Sequence, residues 1–303
     1  MPIRNFTDLE ASLSRLPRRR LAVINGTDDS TVSAIARALS VGNLEVAFVG
    51  AQPDGALATL LTPYADRIAS IPLADEDEAA RRAVELVRQG EADFLMKGLI
   101  HTDNLLRAVL DKEHGLLPQG RVLTHVAVAE VPGFPRLLFY TDAAVIPVPS
   151  RGQREEQVRY LDRVCRAFGI DRPRIALVHF TEKASEKFPC TMDYRLLAEA
   201  SARGEWGGTV IDGPLDVRTA VDPVALATKG IPSPLQGGAD ALVFPDLEAA
   251  NAFYKTLSFF ARARQAGMLQ GTVCPVVVSS RGDDTETKFL SLAAAACTID
   301  VKQ

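Results

Sequence analysis

Short runs of β-branched and aliphatic residues alternate along the chain with longer stretches of helical period. Ten runs predict strands: 21–25 (LAVIN), 45–50 (EVAFVG), 69–73 (ASIPL), 92–97 (ADFLMK), 122–131 (VLTHVAVAEV), 136–141 (RLLFYT), 174–180 (RIALVHF), 209–212 (TVID), 239–245 (ADALVFP) and 272–280 (TVCPVVVSS). Between them, 75–91 (DEDEAARRAVELVRQGE) carries acids in its first turn and arginines later, as a helix dipole favours. The segment 247–267 (LEAANAFYKTLSFFARARQAG) predicts a helix of about six turns closed by Gly267. Strand–helix alternation of this kind predicts an α/β fold with largely parallel sheets. The runs 122–131 and 136–141, joined by PGFP, predict an antiparallel hairpin within it. The proline-rich stretch 145–153 (VIPVPSRGQ) marks a domain boundary near the midpoint.

Composition narrows the class. The chain has 303 residues, 47% hydrophobic and 24% charged, enough for one large domain or two smaller ones. The net charge of −4 gives no electrostatic basis for nucleic-acid binding. No apolar run reaches the ~18 residues of a membrane span. The first sixteen residues mix acids with an amphipathic pattern and read as no targeting signal. Cys165, Cys190, Cys274 and Cys297 are scattered without metal spacing and read as reduced thiols of a cytoplasmic protein.

Ligands of open α/β sheets bind beyond the carboxyl ends of the strands, so the loops there hold the candidate chemistry. They contain GTDDST (26–31), Lys97-Gly98 followed by LIHTDNLLRAVL, TEKASEKFPCTMD (181–193), Asp212-Gly213-Pro214, DLEAAN (246–251) and SRGDDTE (280–286). Thr102 serves equally well as a helix cap, and Asp212-Gly213-Pro214 reads as a turn. Arg107, set among Leu105, Leu106, Val109 and Leu110, reads as half-buried, and Arg281 directly follows an apolar strand. A partly buried arginine needs an anion, from the protein or from a ligand. Neither a P-loop nor a GxGxxG fingerprint is present, so nucleotide-triphosphate and nicotinamide use are unsupported.

Several of these segments together resemble the phosphate acetyl/butyryltransferase family. TEKASEKFPCTMD is similar to its T-E-K…K-x-P-x-T-x-D segment. IDGPLDVRTAV (211–221), KGIPSPLQGGADALVFPDLEAANAFYKTL (229–257) and PVVVSSRGDDTETK (275–288) follow the family pattern in order. So do LMKGLIHTDNLLRAVLDKEHGL (95–116) and LTHVAVAEVPGFPRLLFYTDAA (123–144). The resemblance covers about residues 90–300, and 20–90 more loosely. Met96-Lys97-Gly98, PGF and TDAA are closer to the butyryltransferase branch.

The resemblance implies the reaction acyl-CoA + phosphate ⇌ acyl phosphate + CoA on a butyryl or acetyl group, by direct transfer in a ternary complex. It implies two α/β domains flanking a cleft, in an isocitrate/isopropylmalate dehydrogenase-like architecture, with domains at 1–146 plus 278–303 and at 147–277. It also implies a homodimer, coenzyme A as substrate with no tightly bound cofactor or metal, and no nucleic-acid or membrane partner. By position, Ser280 and Arg281 match the family's active-site pair. Arg107, Lys97 and Thr102 fall, with Arg281, on the phosphate side, and Asp246, Asn251 and Lys255 on the CoA side. The acetyltransferase branch carries an aspartate base seven positions after the serine, where Thr287 stands here, which leaves Asp283 and Glu286 as candidate bases; Asp284 supports the helix start. Ala250 replaces the family's usual glycine. A non-catalytic acyl-CoA- or phosphate-binding relative is the alternative that Thr287 motivates, and a dehydrogenase of the related architecture is a weaker one.

Overall fold

The computed structural model describes residues 2–280 and 282–299. Residues 5–123 hold α1 (Phe6–Leu13), β1 (Arg19–Ile24), α2 (Asp29–Val41), β2 (Leu44–Val49), α3 (Gly55–Leu61), a 3-10 turn (Thr62–Arg67), β3 (Ile68–Ile71), α4 (Glu76–Arg88), β4 (Phe94–Lys97) and α5 (Thr102–Val109). Residues 124–263 hold β5 (Thr124–Glu130), β6 (Leu138–Thr141), α6 (Arg151–Ala167), β7 (Arg174–Val178), α7 (Pro189–Ala202), β8 (Val210–Leu215), α8 (Val217–Val221), α9 (Pro223–Thr228), β9 (Ala241–Val243) and α10 (Leu247–Phe259). Then follow β10 (Arg264–Gln270), β11 (Val276–Val277) and α11 (Thr285–Thr298).

These elements form two compact units, 5–123 with 264–299 and 2–4 with 124–263. In the first, the strand order is β3-β2-β1-β4-β11-β10, parallel except where β10 runs antiparallel to β11. The interior strands β4 and β11 are buried at every position, as expected where helices cover both faces of a parallel sheet. Aspartates set the helix starts: Asp28, Asp75 and Asp284 accept from the backbone of Thr31, Glu78 and Thr287. In the second unit the order is β5-β6-β9-β7-β8, with the predicted β5–β6 hairpin antiparallel and the rest parallel. Tyr140, Leu242, Phe244 and Leu257 anchor its core.

Three expectations change. The helix expected over 247–267 ends at Phe259: Arg262 takes a left-handed φ of 51°, and the chain turns into β10. Arg264–Gln270 favours helix by composition, but pairing of Leu269 with Val276 and a hydrogen bond from Gly267 N–H to Ser291 Oγ draw it into the sheet. The run 272–280 contributes only the two-residue β11, because its first half is the turn from β10. Asp212-Gly213-Pro214 lies inside edge strand β8, where the register against β7 shifts, a position that tolerates proline. By their internal contacts the two units meet at 123/124 and 263/264. The hairpin joins the second unit because β6 pairs with β9, and β10 joins the first because it pairs with β11.

Candidate active site

In the first unit the carboxyl ends of β1, β4 and β11 lie side by side, Ile24 opposite Lys97 and Met96 opposite Val277. Loops 25–28 and 98–101 and residues 278–280 therefore leave the sheet at the carboxyl end of its parallel strands. Gly98 makes this possible: its N–H donates to Ile24 O at 2.9 Å, and a Cβ there would lie 2.6 Å from that same oxygen. Lys97 is buried at the strand end, with Nζ donating to Gly98 O at 3.3 Å. Thr102 is the first, exposed residue of α5. Arg107 departs from its expected half-burial. Its side chain is 68% exposed, and Nη1 lies 3.3 Å from Asp77 Oδ2 across a groove of about 930 Å³ between α4 and α5. The leucines around it point to other faces of α5, where Leu105 and Val109 are buried.

The loop after β11 is organised by its own acids. Asp283 Oδ2 accepts the Ser280 N–H at 2.7 Å, Ser280 Oγ accepts the Gly282 N–H at 3.3 Å, and Asp284 caps α11 as expected. Arg281 lies outside the described residues. Glu286 has one oxygen with Arg37 and the other 3.1 Å from Arg264 Nη1, so it ties α11 to α2 and β10. Lys288, which the sequence reading passed over, is 3% exposed, with Nζ 2.5 Å from Asp28 Oδ2 and 2.9 Å from Thr31 Oγ1. Burial works against the Asp28 charge, but hydrogen bonds from Lys288, Thr31 and Ser30 outweigh it and hold the carboxyl down at about 2. A lysine heading the apolar run FLSLAAAA was the available signal.

Asp246, Asn251 and Lys255 belong to the other unit. Asp246 caps α10 and lines a pocket of about 850 Å³ at the carboxyl ends of β7, β8 and β9. Asn251 Nδ2 donates to Ala143 O at 2.9 Å, clamping the 142–146 loop, whose backbone N–H groups also converge on buried Asp142. Lys255 is exposed, its Nζ 5.0 Å from the centre of the Tyr254 ring. In the pocket wall, buried Arg154 pairs with Asp193 at 3.1 Å. Burial raises the thiol pKa of all four cysteines, Cys274 to about 12, which suits none of them as a nucleophile. Among the described residues no cluster of three or more His, Cys, Asp or Glu could hold a metal, and no helix is long and apolar enough to cross a membrane.

An α/β protein with buried Lys97 and the Ser280 turn after the ends of neighbouring parallel strands has groups suited to an anionic substrate. The family model described as "Phosphate acetyl/butaryl transferase" matches residues 72–296. A phosphate acetyltransferase of Thermotoga maritima is 36% identical over 96% of this chain and 99% of its own length. A phosphate butyryltransferase of Clostridium beijerinckii is 38% identical over 97% of each chain. A branched-chain phosphotransacylase from Enterococcus faecalis has a similar structure, with TM-score 0.82 and 28% identity over 94% of this chain and all of that one. The chain belongs to the phosphate acetyl/butyryltransferase family.

Proposed function

We propose that the protein is a phosphate acyltransferase that interconverts acyl-CoA and phosphate with acyl phosphate and CoA, acting on a short acyl group, butyryl or acetyl, by direct transfer in a ternary complex. Family membership along nearly the whole chain carries this reading. Phosphate and acyl phosphate are polyanions, which guanidinium groups bind bidentately without a protonation step. Arg281 and Arg107 take that role, together with Lys97 and Thr102. CoA falls to Asp246, Asn251 and Lys255.

In the direction of acyl-CoA synthesis the CoA thiol must be deprotonated. With a pKa near 8.5 this costs about 2 kcal/mol at pH 7. Donors facing the tetrahedral oxyanion contribute about 3–4 kcal/mol each, so Ser280 and Arg281 outweigh the base. Asp283, in the turn that holds Ser280, is favoured as base over Glu286, which two guanidiniums already share. The isocitrate/isopropylmalate dehydrogenase-like architecture, the domain limits 1–146 plus 278–303 and 147–277, a homodimer and a cytoplasmic setting complete the proposal. Two mainly parallel α/β units support the first of these.

The test is phosphate-dependent loss of the thioester from acetyl-, butyryl- and isobutyryl-CoA. Turnover of at least one is expected, and turnover of none rejects the reading. Arg281→Ala is expected to abolish turnover while the protein stays folded by circular dichroism; near-normal turnover would remove its role.

A further inference from the structure

We infer that the pocket at the carboxyl ends of β7, β8 and β9 seats the adenine ring of acyl-CoA, with Phe180 as its stacking platform. This rests on the acyl-CoA reading above but names a subsite within the unit at 124–263. The pocket's ~850 Å³ lies in the range of small-ligand sites. Its rim is aromatic and unusually bare: Phe180 is 72% exposed and Val148 73% exposed, although both are large and apolar. Phe180 is held in place from behind. Its ring centre lies 4.5 Å from His179 and 4.9 Å, edge-to-face, from Phe188. An ordered ring with its surface turned to solvent at strand carboxyl ends is what a planar heterocycle stacks on.

The polar groups match a purine edge. His179 is 8% exposed and accepts the Thr181 N–H at Nδ1, so the neutral imidazole carries its proton on Nε2, for which no partner exists among the described residues. Burial lowers the His179 pKa against the pull of Asp246, which keeps the ring neutral. Nε2–H is thus a donor for a ring nitrogen. Of the pocket's carboxylates, Asp193 is paired with Arg154, and Asp216 with Lys229 at 2.5 Å. Asp246 forms no ion pair among the described residues; one oxygen caps α10 and the other can accept from an exocyclic amine. Two exposed lysines without ion pairs among the described residues, Lys183 and Lys187, follow on the loop leaving Phe180, beside an exposed Glu186, and suit the phosphates attached to an adenosine.

The experiment compares butyryl-CoA with butyryl-pantetheine, which lacks the adenosine end. Phe180→Ala is expected to lower the ratio of kcat/KM for the two thioesters about tenfold, the size of one lost base stack, and Phe180→Trp to restore it. Calorimetry with adenosine 3′,5′-bisphosphate is expected to show binding to the wild type and its loss in Phe180→Ala. An unchanged ratio, or equal bisphosphate binding by both proteins, overturns the proposal. So does a Phe180→Ala effect confined to acyl-chain preference. If neither thioester turns over in the wild type, the acyltransferase reading fails, while the bisphosphate titration still decides the pocket.

Discussion

At the residue scale, the Lys288–Asp28 pair shows how burial turns a surface-type interaction into a structural one. Asp28→Asn strands the buried Lys288 charge away from water and is expected to cost about 3–5 kcal/mol in urea denaturation, whereas Lys288→Met leaves the partly exposed Asp28 its solvent and costs less. The Asp28 carboxyl sits at about 2 in the folded protein against an ordinary 3.8. Its contribution, about 2 kcal/mol, is therefore full above pH 3.8 and lost as the pH falls toward 2, and Asp28→Asn flattens the stability curve in that window. The exposed Arg107–Asp77 pair is different. Asp77→Asn is expected to change stability by less than about 0.5 kcal/mol by the same measurement. The Asp284 cap was legible from the sequence because capping chemistry is local. Burial is not local, so Arg107 was misjudged and Lys288 missed.

Elements were legible where period and cap agreed. The helix of 75–91 appears as α4 between Asp75 and Gly90, and the hairpin appears as β5–β6. They were not legible where long-range pairing overrides composition. Arg264–Gln270 has helical residues, but its place in the sheet comes from β11 and α11, which follow it in the chain. At the other side of β11, the turn after β4 depends on a missing side chain. Gly98→Ala pushes a methyl against the Ile24 and Asn25 carbonyls, and a loss of about 1–3 kcal/mol is expected by thermal denaturation, together with reduced turnover as Lys97 is displaced.

For the whole molecule, alternation predicted the α/β class correctly, and the ordered motifs predicted the family. Proline-rich 145–153 joins β6 to α6, and by its contacts the segment 124–263 forms one compact unit. That partition has a consequence for biosynthesis. Nearly all of the unit at 124–263 is contiguous in the chain, so its sheet is complete once Phe259 and the turn after it have left the ribosome. The other unit begins earlier and finishes later: β4 waits for β11, and Asp28 waits for Lys288, some 260 residues downstream. Residues 5–123 are therefore made before the 124–263 unit but complete their fold after it. A ribosome-bound chain just long enough for residue 263 to have cleared the exit tunnel is expected to resist proteolysis over 124–263 while 5–123 is cut, and protection of 5–123 is expected only after α11 emerges.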